Sequence, residues 1–146
     1  MCRKIEHGFF PPASQMDISS FKVYLSDVGL LAARTKATPE SLNPSPHHAS
    51  GFRGSLIENY VACALQRKGY ELFYWESDGK AEIDFVVAKE GAAIPIEVKA
   101  AENTKSKSLG VYVGKYRPPY SVRLSGRNFS WSESILSIPL YAAFLL

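Results

Sequence analysis

The chain has 146 residues, 46% hydrophobic, 12% aromatic and 21% charged, enough apolar surface for one core and one domain. That balance excludes a disordered, collagen-like or coiled-coil chain. The formal charge of +3 is unevenly spread: residues 1–98 carry ten Lys/Arg against twelve Asp/Glu, whereas 99–127 carry seven against one. The basic segment suits a phosphate-contacting surface as well as a plain solvated face. Cys2 and Cys63 lack CxxC spacing, so neither a disulfide framework nor a structural zinc site is indicated, and a reducing, cytoplasmic compartment is expected. The opening residues lack the apolar stretch of a signal peptide. The longest apolar run, Ile138 to Leu146, falls well short of the roughly 20 residues a membrane-spanning helix needs, so no membrane partner is expected.

In chain order, residues 1–20 show neither helical nor strand periodicity and read as a lead-in or linker. Residues 21–146 read as the domain proper. Phe21 to Leu25 alternates as a strand does, and Ser26 and Asp27 offer N-caps for a short helix through Ala33. Prolines, serines and His47-His48 then predict a flexible surface loop over about 34–53. From Gly54 to Lys68 the residues Ile57, Tyr60, Val61, Ala64 and Leu65 recur at helical spacing, with Gly69 placed to close the helix in a left-handed conformation. Cys63 reads as a packing residue of that helix.

Three strands are predicted next, Glu71 to Glu76, Ala81 to Ala88 and Ala93 to Ala100, joined by the turn-forming Ser77-Asp78-Gly79-Lys80 and Lys89-Glu90-Gly91. A helix over Lys105 to Tyr116, stopped by Pro118-Pro119, and strands at Tyr120 to Leu124 and Ile138 to Phe144 complete the chain. The order argues an α/β fold, a central mixed sheet flanked by helices. Neither a GxxxxGK[ST] loop nor a GxGxxG turn is present, so no nucleotide-hydrolysing loop is legible.

Alternation in the second predicted strand places Ile83, Phe85 and Val87 on one face and Glu82, Asp84 and Val86 on the other. In the third, Ile94, Ile96 and Val98 oppose Glu97 and Lys99. An antiparallel hairpin would bring Asp84 and the Glu97/Lys99 pair out together on one face. Two carboxylates on a rigid sheet make a hard-oxygen cation site suited to Mg²⁺, and a neighbouring lysine can orient a water or offset charge on a phosphate. A surface strand with a plain Glu/Lys pattern is the alternative. Glu58 is a third carboxylate; its apolar helical neighbours suggest a partly shielded position, while Ser55-Leu56-Ile57-Glu58 also fits a capping box.

The segments Gly54-Ser55-Leu56-Ile57-Glu58-Asn59-Tyr60-Val61, Tyr74-Trp75 with Ala81-Glu82-Ile83-Asp84-Phe85, and Ile94-Pro95-Ile96-Glu97-Val98-Lys99-Ala100 resemble the PD-(D/E)XK, restriction-endonuclease-like superfamily. The likeness is nearest to the uncharacterised domain that follows the AAA-type ATPase core in many bacterial and archaeal ATPases, and it extends from about Phe21 to the end. The resemblance implies an αβββαβ core. It also implies Asp84 and Glu97 as metal-binding carboxylates with the Val98 carbonyl as a further ligand, Lys99 as the motif lysine, and Glu58 as the acidic residue of the first core helix. Ile83 stands where the name-giving proline would be.

By this resemblance the expected function is a Mg²⁺- or Mn²⁺-dependent endodeoxyribonuclease domain, with an ATPase core upstream as partner. A second copy of the chain is a further candidate partner. Arg53, Lys80, Lys105, Lys107, Lys115 and Arg117 are the candidate DNA-contacting residues, with Arg123 and Arg127 in the same basic segment. The competing expectation is a non-catalytic accessory domain that docks DNA or protein beside an ATPase, with Tyr112, Tyr116, Tyr120 and Trp131 as candidate interface aromatics. His7, His47 and His48 fall on none of the carboxylate-bearing elements and are not expected to ligate a metal.

Overall fold

The computed structural model describes residues 1–38, 50–77, 81–100 and 107–146. Their strands are β1 (Cys2–Ile5), β2 (Met16–Lys22), β3 (Phe73–Ser77), β4 (Ala81–Lys89), β5 (Ala92–Val98), β6 (Ser121–Ser125), β7 (Ser130–Ser132) and β8 (Ile135–Pro139). They form one mixed sheet in the order β2-β1-β3-β4-β5-β6-β8-β7. Helices α1 (Val28–Arg34), α2 (Ser50–Arg67) and α3 (Lys107–Tyr116) accompany it, so the protein is a mixed α/β fold.

Each face of the sheet buries its own apolar set. On one side Val61, Ala62 and Leu65 of α2 pack on Cys2, Phe85, Val87, Ile94, Ile96, Val122 and Leu124. On the other, Leu109, Tyr112 and Tyr116 of α3 cover Ile5, Phe73, Trp75, Ile83, Val86 and Ala93. Full burial of a large apolar side chain contributes about 1.5–3 kcal/mol, so these two layers are the main stabilising term. The local signals behind the helices act as read: Asp27 caps α1 by accepting from the Gly29 and Leu30 amides, and Gly69 closes α2 at a φ of +83°. β4 and β5 are joined through Glu90 and Gly91, both at positive φ, the conformation of a two-residue type I′ hairpin.

Several expectations are corrected. Residues 1–20 are not merely a lead-in, because β1 lies inside the sheet between β2 and β3. It is four residues long and half charged, too short to show a period, and its place is set by backbone pairing with β2 and β3 and by the burial of Cys2 and Ile5 on opposite faces of the sheet. The Tyr112 hydroxyl also donates to the Gly8 carbonyl at 3.2 Å, and a Cβ on Gly8 would collide with the Tyr112 hydroxyl oxygen. The segment is thus packed tightly onto α3.

The strand predicted over Phe21 to Leu25 instead spans Met16–Lys22. Helix α2 begins at Ser50, so the end of the loop expected over 34–53 is helical, while 39–49 lie outside the described residues. The last strand ends at Pro139, and Leu140–Leu145 forms a 3-10 helix. Ile83, Phe85 and Val87 do not share a face: Ile83 joins the α3-side core, whereas Phe85 and Val87 join the α2 side. The cause is a bulge in β4, where the three residues Phe73 to Trp75 oppose the four residues Ile83 to Val86.

Candidate active site

The bulge falls on Asp84. Alternation from Ile83 sends its side chain toward α2, whereas alternation from Ile96 sends Glu97 toward α3, so the single shared face expected for the two carboxylates is replaced by a fork. The last antiparallel pair between β4 and β5 is Phe85–Ile96. Beyond it β5 continues alongside β6, with Val98 opposite Leu124 and the Lys99 amide donating to the Leu124 carbonyl at 2.8 Å. Asp84 fills the gap that opens: its Oδ2 accepts from the Val98 amide at 2.7 Å. Burial pushes the Asp84 carboxyl up to about 7; the Val98 hydrogen bond and Lys22 oppose this, while the charges of Glu58 and Glu97 add to it.

Glu97 is only 2% exposed. Lys99, two residues along and on the same face, holds Glu97 Oε1 at 2.8 Å. Glu97 Oε2 is buried without a hydrogen-bond partner among the described residues. An orphaned carboxylate oxygen of this kind is costly, and a bound cation or a protonated ligand group would satisfy it.

Glu58 is not a capping residue, because α2 starts at Ser50 and Ser55 sits inside it, donating to the Gly51 carbonyl at 3.1 Å. Instead Glu58 Oε1 accepts from the Tyr24 hydroxyl and from Lys22 Nζ at 3.2 Å. Lys22 also pairs with Glu82 and lies over the Tyr74 ring. Burial works against the Lys22 ammonium, but hydrogen bonds and charge from Glu82 and Glu58 outweigh it and hold its pKa above the ordinary lysine value. Burial first, then the Glu58 bond, raises that of Tyr24.

Asn59 fixes the segment that follows β2 and carries Tyr24. Its Oδ1 accepts from the Leu25 amide at 2.8 Å and its Nδ2 donates to the Leu25 carbonyl at 3.1 Å. Lys22, Tyr24, Ser55, Glu58 and Asn59 line a cavity of about 410 Å³. Lys22, Tyr24 and Asn59 escaped sequence reasoning. The adjacency of Asn59 to Glu58 was the available hint, and the pairing of residue 25 with residue 59 is purely tertiary.

The described basic candidates lie on α2, on α3 and just after α3. Arg53 lies in the first turns of α2, while Lys107 opens α3. Lys115 sits over the Trp75 and Tyr116 rings at 5.9 and 5.2 Å, and Arg117 follows α3 at a φ of +48°. Lys80, Lys105, His47 and His48 lie outside the described residues. Tyr112 and Tyr116 are core rather than interface aromatics, whereas Trp131 is exposed. Cys63 packs as expected, and burial pushes the Cys2 thiol up to about 12, leaving it protonated.

A family model described as "Domain of unknown function (DUF4143)" matches residues 53–142, more than half of the chain. The chain belongs to the DUF4143 family. No curated protein and no solved structure matches it at a significant level. The DUF4143 match takes in α2 from Arg53 and strands β3 to β8, and therefore Glu58, Asp84, Glu97 and Lys99. The β1 and β2 strands, with Lys22, precede it. No described helix is long and apolar enough to cross a membrane.

Proposed function

We propose that this DUF4143 domain is a PD-(D/E)XK, restriction-endonuclease-like nuclease that hydrolyses DNA phosphodiester bonds with a divalent metal. The observation that supports it is the fork itself: a carboxylate pushed up to about 7 at a bulge, beside a buried glutamate with one unpartnered oxygen and a lysine on the other.

The residues suit a hard cation. Among the described residues no group of three or more His, Cys, Asp or Glu side chains is placed to hold a metal ion. Mg²⁺ does not require one, since it keeps several waters and takes one or two carboxylates plus substrate phosphate. Asp84 and Glu97 reach the gap where β4 and β5 part from its two sides, near enough for the charge of Glu97 to raise the Asp84 pKa, and would hold the ion there, with the Val98 carbonyl as the third donor in this reading. Orphaned Glu97 Oε2 is the donor atom that gains most. Bound there, Mg²⁺ or Mn²⁺ would acidify a water and polarise a phosphoryl oxygen.

The chain's own groups then divide the work. Glu97 Oε1 holds the Lys99 ammonium, which is about a third exposed and therefore able to reach a water or a phosphate oxygen while remaining anchored. The Val98 amide holds Asp84 in one orientation, so the carboxylate is pre-set rather than recruited. Tyr24 and Lys22 do the same for Glu58 at the cavity wall. Arg53, Lys107 and Arg117 supply positive charge for DNA at separate places around the sheet, and an AAA-type ATPase core upstream is the proposed partner.

Cleavage of labelled single-stranded, duplex and branched DNA with Mg²⁺ or Mn²⁺ tests this reading, with Asp84→Ala and Lys99→Ala alongside. Metal-dependent cleavage lost in both variants, each still folded, is the expected result. A folded wild-type chain that cuts none of these substrates, alone or joined to an ATPase core, would instead favour a non-catalytic accessory domain. That alternative draws on the Asp84–Val98 and Glu97–Lys99 bonds as internal structural pairings.

A further inference from the structure

On the α3-side face, where only Ile135 of β8 joins the apolar layer beyond β5, a polar row crosses the sheet. Glu97 of β5 stands opposite Arg123 of β6, Arg123 opposite Ser137 of β8, and Ser137 opposite Ser130 of β7. Residues paired across strands project to the same face, so these four side chains share one side of the sheet. Arg123 Nε is buried and donates to nothing among the described residues. A buried N–H left in that state is costly unless an acceptor reaches it.

A cavity of about 230 Å³ opens at this end of the row, lined by Arg123, Arg127, Ser130, Ser132, Glu133 and Ser137 together with Ile135. Arg123, Ser130, Ser132, Ile135 and Ser137 reach it from strands, and Arg127 and Glu133 from the connections beside them. The β7–β8 hairpin turns through Glu133 and Ser134, both at positive φ, and the Arg127 amide is tied to Ser125 Oγ at 3.2 Å. Two guanidiniums and three hydroxyls outnumber the one carboxylate, Glu133. Planar N–H forks backed by hydroxyl donors are the chemistry that recognises a phosphoryl group.

We propose that this cavity binds a phosphate monoester, the terminal phosphate of a nucleic-acid strand. A terminal phosphate carries up to two charges and presents three free oxygens, matching two arginines and the serines better than an internal diester does. Location supports a strand end as its source. Arg123 is one strand away from Glu97 and the cavity extends over β8 to β7, so its lining lies roughly 5–14 Å from Glu97, taking about 4.8 Å between neighbouring strands. This assignment of a substrate class rests on the nuclease reading, but phosphate capture itself does not need cleavage.

The test is direct binding in metal-free buffer, by calorimetry or fluorescence anisotropy, which a failed nuclease reading would leave intact. The ligands are inorganic phosphate and one short oligonucleotide carrying a 5′-phosphate, a 3′-phosphate or only hydroxyl ends. The expected result is at least tenfold tighter binding of one phosphorylated end than of the hydroxyl end, with inorganic phosphate competing at higher concentration. Arg127→Ala, at an exposed position, should erase that preference with the fold unchanged. Arg123→Gln should do the same, with its melting temperature checking the fold. Equal affinity for phosphorylated and hydroxyl ends would overturn the proposal even if the chain cleaves DNA. Binding of inorganic phosphate alone, without preference for a phosphorylated end, would overturn the nucleic-acid source. A preference that survives Arg127→Ala and a folded Arg123→Gln would overturn the site.

Discussion

Asp84 Oδ2 accepts the Val98 amide across the gap where β4 and β5 part, at 2.7 Å. One carboxylate therefore takes the place of a ladder hydrogen bond and sets the orientation of a candidate metal ligand. Asp84→Ala should leave the Val98 amide unpaired and cost about 1–3 kcal/mol in urea denaturation. Asp84→Asn keeps an acceptor and should cost less. Both should abolish metal-dependent cleavage, so stability and activity separate in the Asn variant.

The same residue gives a signed pH dependence. Its folded value of about 7 lies above the 3.8 of an unperturbed carboxyl. Below about pH 4 folded and unfolded chains are both protonated there. Between about 4 and 7 the unfolded chain releases the proton and the folded one keeps it, so stability falls as pH rises through that window and levels off above it. Asp84→Asn should flatten that part of the profile. A divalent cation that needs the ionised form should raise the melting temperature more at pH 8 than at pH 5.5. Equal shifts at both values would count against Asp84 as a ligand.

Asn59 clamps Leu25 with two backbone bonds from a side chain that is 2% exposed. Asn59→Leu should cost about 2 kcal/mol or more, because the Leu25 amide and carbonyl lose their partner. Any activity should also fall, since Tyr24, which holds Glu58, lies in that segment. Tyr24→Phe should cost about 1 kcal/mol and leave Glu58 held by Lys22 alone.

Deleting residues 1–22 removes β1 and β2 and bares the edge of β3, where Phe73 and Trp75 are buried. The truncated chain should lose cooperative unfolding and aggregate. Gly8→Ala is a milder probe of the same packing, since the new methyl meets the Tyr112 hydroxyl. Its melting temperature should drop by several degrees, equivalent to about 1–3 kcal/mol for overpacking.

What the sequence determined by itself is what is written in local chemistry. Asp27 before an apolar run and Gly69 after one bound their helices, because caps act within a turn. Glu90-Gly91 made the β4–β5 hairpin legible, and the i, i+2 spacing of Glu97 and Lys99 alone put them on one face, where they pair. The tertiary structure decided what depends on partners distant in the chain. β1 is a strand because β3 offers it a hydrogen-bonding edge, and β7 is too short to show a period of its own. The bulge that turned Asp84 from the Glu97 side toward Glu58 is a register mismatch between β3 and β4, which no alternation rule can anticipate. The meeting of Lys22 and Tyr24 with Glu58, and the row from Glu97 through Arg123 to Ser130, arise only when separate strands and a helix share one sheet.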